Sequence, residues 1–175
     1  MKCFRIDKAI EILERTPAVL DSLLRDIDQV WSKQNEGDKI WSPFDVVGHL
    51  VHGEKTDWTD RIKLILRDSD DNTFQPFDRF AQFEDSKGKS MNQLLDEFSE
   101  LRSKNMEFLK GLNLSENELQ LQGIHPHFGS VKLYELLTNW VTHDLGNIAQ
   151  STRTMAKQYK SDVGPWVEYI RILKD

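Results

Sequence analysis

Five histidines carry most of the chemistry this sequence can offer: His49, His52, His125, His127 and His143. Imidazole titrates near neutrality and is the commonest metal ligand among side chains, so its placement matters more than its number. His49 lies in Val46-Val47-Gly48-His49-Leu50 and His143 in Trp140-Val141-Thr142-His143-Asp144. At ~100° per helical residue, Val46, His49, Leu50 and Gly53 share one face, and so do Leu136, Trp140, His143, Asn147 and Gln150. Both rings therefore fall where an apolar stripe should be. A polar ring there is costly unless it is hydrogen-bonded or bound to a metal. A histidine satisfied within the core is the plainer reading of either ring taken singly. Gly48 weakens its helix locally and allows close approach of a neighbour.

The other reactive groups form weaker patterns. His52 follows His49 by three residues, ~60° round the helix, and reads as a rim residue that could turn inward. His125-Pro126-His127 sits in a loop that could approach the end of a bundle. Asp57 and Asp60 are paired carboxylates, a spacing that a solvated helix face also explains. Arg153 follows His143 by ten residues, ~80° round the helix, where it could mark an anion-binding spot. Cys3 is the one cysteine, so no internal disulfide forms. There is no Gly-rich phosphate loop, no Ser-centred nucleophile elbow and no CxxC.

Four segments carry the helical periodicity that would position these groups. The first spans about Arg5 to Trp31, with Ile6, Ile10, Leu13, Pro17, Leu20, Leu24, Ile27 and Trp31 on one stripe. Pro17 predicts a kink or a split. The second starts at Trp41-Ser42-Pro43, with Ser42 as N-cap and Pro43 in the first turn, and runs to about Leu66. A polar stretch, Arg67 to Lys89, contains Phe74, Phe77, Phe80 and Phe83 and is expected to pack over the helices. The third helix begins at Ser90, with Gln93 completing a capping box, and ends at Gly111. Ser115 and Glu118 form a second box on a short turn. A loop, Gly123 to Gly129, precedes the fourth helix, about Ser130 to Tyr159. Gly164-Pro165 breaks the chain, and Trp166 to Leu173 reads as one more helix. No strand alternation stands out. The expected fold is all-α: an antiparallel four-helix bundle with a short C-terminal helix, one domain over residues 1–175.

Composition narrows the partners. The chain carries 29 acidic and 23 basic residues, a formal charge of −6. That balance argues against nucleic acid and against an anionic membrane surface. No run approaches the ~18 apolar residues of a membrane span, and charges interrupt the N-terminal segment, so a cytoplasmic setting is expected. The nine Phe and five Trp would permit a homodimer through a bundle face.

Several segments together resemble the DinB-like four-helix proteins. Trp41-Ser-Pro-Phe-Asp-Val-Val-Gly-His-Leu-Val-His is similar to their second-helix motif. Gly129-Ser-Val-Lys-Leu-Tyr-Glu-Leu-Leu-Thr-Asn-Trp-Val-Thr-His-Asp-Leu-Gly-Asn-Ile-Ala-Gln is similar to their fourth, and Gly164-Pro-Trp-Val-Glu-Tyr-Ile-Arg-Ile-Leu to their C-terminal end. The resemblance implies a divalent metal held by three His, one from helix two and two from helix four spaced His-x-x-x-His. His49 and His143 match the first two positions, and Asn147 stands at the third. An amide oxygen is a poor substitute for imidazole toward Zn²⁺ or Ni²⁺. Metal is therefore expected to be held weakly or not at all.

Two functional expectations follow. One is a metal-dependent enzyme acting on a small molecule, by hydrolysis or transfer of a low-molecular-weight thiol, with a degraded triad of His49, His143 and Asn147. The other is a non-catalytic small-molecule-binding or stress-related bundle that has lost its metal. Under both, helices two and four must be neighbours and bring the imidazoles of His49 and His143 within ~10 Å, since ligand bonds are only ~2 Å long.

Overall fold

The computed structural model describes residues 4–37, 40–67, 69 and 71–174; Cys3 lies outside them. The helices are α1 (Ile6–Leu13), α2 (Thr16–Leu24), α3 (Gln29–Lys33), α4 (Pro43–Thr56), α5 (Trp58–Leu66), α6 (Gln82–Asp85), α7 (Met91–Gly111), α8 (Glu116–Leu119) and α9 (Leu133–Lys157). The chain is an all-α four-helix bundle. Its members are α1 with α2, α4 with α5, α7, and α9.

Local chemistry explains where these helices begin. Ser42 Oγ accepts from the Asp45 backbone N–H at 3.2 Å, while Asp45 accepts from the Ser42 N–H at 3.0 Å, and Pro43 fills the first turn. Ser90 and Gln93 close the same reciprocal box on α7, and Ser115 with Glu118 on α8. The stripe expected over Arg5–Trp31 is three helices, not one. Pro17 sits in the first turn of α2, Asp26 adopts a positive φ of 56°, and Asp28 caps α3 by accepting from the Val30 N–H. The second expected helix is likewise divided at Asp57, whose φ of −122° and ψ of −71° interrupt the helical run.

Two apolar clusters set the order of the bundle. One gathers Leu13, Trp58, Ile62, Met106, Leu109, Leu136 and Trp140. The other gathers Leu20, Leu24, Val46, Leu50, Leu94 and Phe98, with Ile148 and Met155 packed against it. Helix pairs α1–α2 and α9 thus run from the first cluster to the second, and α4–α5 and α7 run back. The first and third members are antiparallel neighbours, as are the second and fourth. Helices α4 and α7 are parallel neighbours, and a parallel pair needs a long return connection. The segment between α5 and α7 supplies it.

That return segment is pinned at one end by a hairpin, where no strand was expected. Strands β1 (Gln122–His125) and β2 (Gly129–Lys132) pair antiparallel, Gln122 with Lys132 and His125 with Gly129. They are four residues each, too short for alternation to register, and β2 displaces the start of α9 to Leu133. The Phe74 N–H donates to the Ile124 carbonyl at 2.8 Å, and the Ile124 N–H to the Asn72 carbonyl at 2.9 Å. Gly123 is required there, because a Cβ would strike the buried Phe74 ring. At the far end, α6 lies against Gly48, where a Cβ would collide with Ser86 Oγ and Gln82 Oε1. The Trp166–Leu173 region is two 3₁₀ turns, Gly164–Glu168 and Arg171–Leu173, and not an α-helix. No helix among the described residues is long and apolar enough to cross a membrane.

Between the two clusters lies a buried charge network. Arg102 on α7 donates through Nη1 to Asp144 Oδ2 (2.6 Å) and the Leu13 carbonyl (2.7 Å), and through Nη2 to Glu54 Oε1 (2.7 Å) and Asp144 Oδ1 (3.1 Å). Glu54 also accepts from Trp140 Nε1 and Asn105 Nδ2. Burial opposes the charge, but Asp144 and Glu54 outweigh it and hold the guanidinium above its ordinary pKa. Removing one partner of a buried pair strands the others, at about 3–5 kcal/mol. Arg102→Met should therefore lower the unfolding free energy in urea by about that amount, and an unchanged midpoint would contradict the assignment.

Candidate metal centre

His49 on α4 and His143 on α9 meet. Their Nε2 atoms are 2.8 Å apart and their ring centroids 4.9 Å. Helix α4 is held here by its capping box and by α6 closing on Gly48. Helix α9 is held by Asp144, the residue after His143, which is locked to Arg102. Aromatic rings surround the pair. Trp41 lies 4.8 Å from the His49 ring and Phe77 5.7 Å from it, and Trp58 lies 5.3 Å from His143 while stacking on Trp140.

Burial keeps both rings neutral. It is the first cause lowering the pKa of His49, followed by the neighbouring His143, and also the first for His143, where Asp144 opposes and Arg102 adds. Two neutral imidazoles at this distance share one hydrogen bond: one Nε2–H donates to the lone pair of the other. Their tautomers must therefore differ. Both Nδ1 atoms are buried without a hydrogen-bond partner among the described residues.

These residues do not fit a three-ligand transition-metal centre. Two nitrogens bound at ~2.05 Å to one tetrahedral ion stand about 3.3 Å apart, so a separation of 2.8 Å is that of a hydrogen bond. A metal-bound imidazole also commonly donates its other N–H to an outer partner, and among the described residues no protein group takes that place at either Nδ1. Asn147, one turn beyond His143, spends its Nδ2 on the His143 carbonyl at 2.8 Å, which leaves only a neutral amide oxygen. Among the described residues no group of three or more His, Cys, Asp or Glu is arranged to hold a metal.

The remaining candidates separate clearly. His52 is buried, but its Nδ1 is 2.9 Å from Asp85 Oδ2 on α6, so it is committed there and does not turn toward the pair. His125 lines the cavity beside the pair, and His127 does not. Asp57 is buried at the break between α4 and α5, 2.7 Å from Arg61 Nε, and desolvation raises its pKa to about 6. Asp60 is exposed and meets Lys63. Arg153 is not an anion site near the pair: with Thr154 and Lys157 it holds the carboxylate of Glu36. Sequence reasoning missed Trp41, Trp58, Arg61 and Arg79 as site residues. The helix break at Asp57, which turns Asp57, Trp58 and Arg61 toward the cavity, had no local signal. The cavity they line measures 220 Å³.

The sign of the pH dependence follows from the neutral pair. A folded pKa below the free value of 6.5 means that the unfolded chain binds the proton and the folded chain does not. Stability contributed by neutral His49 is then complete above pH 6.5 and lost as pH falls. Asp57 acts oppositely, since its raised pKa lets the folded chain keep a proton below about pH 6. Comparing wild type with His49→Gln isolates the first effect. The stability difference between them should shift against wild type by up to about 1.4 kcal/mol per pH unit below 6.5. A difference independent of pH would show that folding leaves the His49 pKa at its free value.

Comparison with known proteins agrees with this architecture. The chain aligns over 87% of its length, and over 86% of the other chain, with a Bacillus subtilis structure described as "YfiT from Bacillus subtilis is a probable metal-dependent hydrolase with an unusual four-helix bundle topology". The TM-score is 0.74 and the identity 22%, a likeness of fold. A search of the curated proteins found no match. A family model of the DinB superfamily matches residues 12–151, and the chain belongs to that superfamily.

Proposed function

We propose that this chain is a small-molecule-binding protein of the DinB superfamily whose His49–His143 pair acts as a hydrogen-bonded dyad, with transition metal held weakly or not at all. The observation that carries the reading is the 2.8 Å Nε2–Nε2 contact beside an Asn147 amide turned onto its own helix. In that state both Nε2 atoms are engaged with each other, and the paired rings lie beside a cavity flanked by Trp58 and Phe77. A small ligand with an apolar body suits such walls, since few polar groups are needed to fix its orientation.

A second reading, a metal-dependent hydrolase or thiol transferase, is favoured by the description of YfiT as a probable metal-dependent hydrolase. It requires the two imidazoles to part by about half an ångström and Asn147 to supply a weak oxygen ligand. Elemental analysis of untagged protein after dialysis without chelator separates the two. The dyad reading expects well under one Zn or Ni per chain, and stoichiometric metal would put the enzyme reading ahead.

Asn147→His restores the imidazole pair one helical turn apart without moving the backbone. Outer partners of metal ligands alone are worth roughly 10–100-fold in affinity, so a direct ligand should raise Zn²⁺ affinity by more than about tenfold. Calorimetry finding equal affinity in the two proteins would count against Asn147 as the lost position.

A further inference from the structure

Arg79 differs from most arginines in the chain. Arg5, Arg15, Arg25, Arg61, Arg102 and Arg153 each lie within 4 Å of a carboxylate. Arg79 has no such partner among the described residues, in a chain with a formal charge of −6. The adjacent Asp78 accepts from the Phe80 N–H at 3.0 Å. Aromatic faces hold the guanidinium instead: it lies 5.7 Å from the centroid of Trp41 and 4.9 Å from that of Phe80. Stacking occupies the flat face of a guanidinium and leaves its N–H edge free. Trp41 packs in turn on His49, and Arg79 lines the same cavity as the His pair.

Further donors converge there. His125 Nδ1 accepts from the His127 and Phe128 backbone N–H groups at 3.1 and 3.2 Å, so the proton of the neutral ring sits on Nε2. Arg61 reaches Asp57 through Nε, and no protein group among the described residues takes its terminal nitrogens. Asn139, one turn before His143, also lines the cavity. With neutral histidines, Arg61 and Arg79 against Asp57 leave one net positive charge.

The geometry points to a monoanion subsite: the cavity binds a small monocarboxylate, its carboxylate on Arg79 and its apolar body against Trp58 and Phe77. This rests on the small-molecule reading above and names the ligand class. A planar carboxylate matches a guanidinium fork, and one net charge suits a monoanion better than a dianionic phosphate beside Asp57. At 220 Å³ the space lies below the 300–1,000 Å³ typical of drug-sized ligands, which suits a small ligand.

The test titrates full-length, EDTA-dialysed protein with butyrate, benzoate and inorganic phosphate, following histidine ring signals by NMR, with metal content measured on undialysed samples. Butyrate or benzoate should move the His49 and His125 signals saturably. Arg79→Gln should weaken this by about tenfold or more, and Arg79→Lys by less. Arg171→Gln, which lines no part of the cavity, serves as a control and should leave it unchanged. No saturable shift, equal binding by Arg79→Gln, or tighter binding of phosphate would overturn the subsite. Stoichiometric metal before dialysis, with Arg79-dependent binding after it, would overturn the dyad reading and support the subsite.

Discussion

Arg102, on α7, is hydrogen-bonded to groups from the other three bundle members: the Leu13 carbonyl, Glu54 and Asp144. A buried guanidinium requires that its partners be in place, because each one missing leaves a charge without solvent or counter-ion. The network therefore fixes the longitudinal register of α4 against α9. Glu54 is five residues beyond His49 and Asp144 is next to His143, so the same register brings the two imidazoles to contact distance. Apolar packing alone would tolerate sliding of one helix along another. The charge network does not.

The site that results is held neutral on one side and cationic on the other. Burial among Trp41, Trp58 and Phe77 disfavours a proton on either histidine. The net positive charge comes from the rim, where Arg61 and Arg79 stand on α5 and on the return segment. That segment is present because α4 and α7 run parallel, so the chain must travel the length of the bundle between them. A topological requirement thus supplies Phe77 and Arg79, which close the cavity over residues delivered by α4 and α9.

Much of this was legible where the determinant is local. The N-cap at Ser42 and the capping box at Ser90 read correctly because each needs only four residues. The faces of His49 and His143 read correctly because helical geometry is regular, and Gly48 does admit a neighbour, α6. The hairpin was not legible, since its two short strands depend on Phe74 packing over Gly123 from a distant segment. The charge network left a signal that went unused. Leu95, Phe98, Arg102, Met106 and Leu109 share one stripe, as do Leu50, Glu54 and Trp58, and Leu137, Trp140, Asp144 and Asn147. A single charge on each of three apolar stripes predicts one buried cluster, because no such charge is stable alone. The occupation of His52 by Asp85 and of Arg153 by Glu36 had no such sign, as both partners lie far off in sequence.

The central claim is that His49 and His143 are joined by a hydrogen bond and not by an ion. Nitrogen-15 NMR of the two imidazoles in untagged protein, purified without chelator, tests it most directly. The account predicts one protonated and one unprotonated Nε2 with scalar coupling between them across the hydrogen bond. Two unprotonated Nε2 atoms, uncoupled and both shifted on addition of chelator, would contradict it.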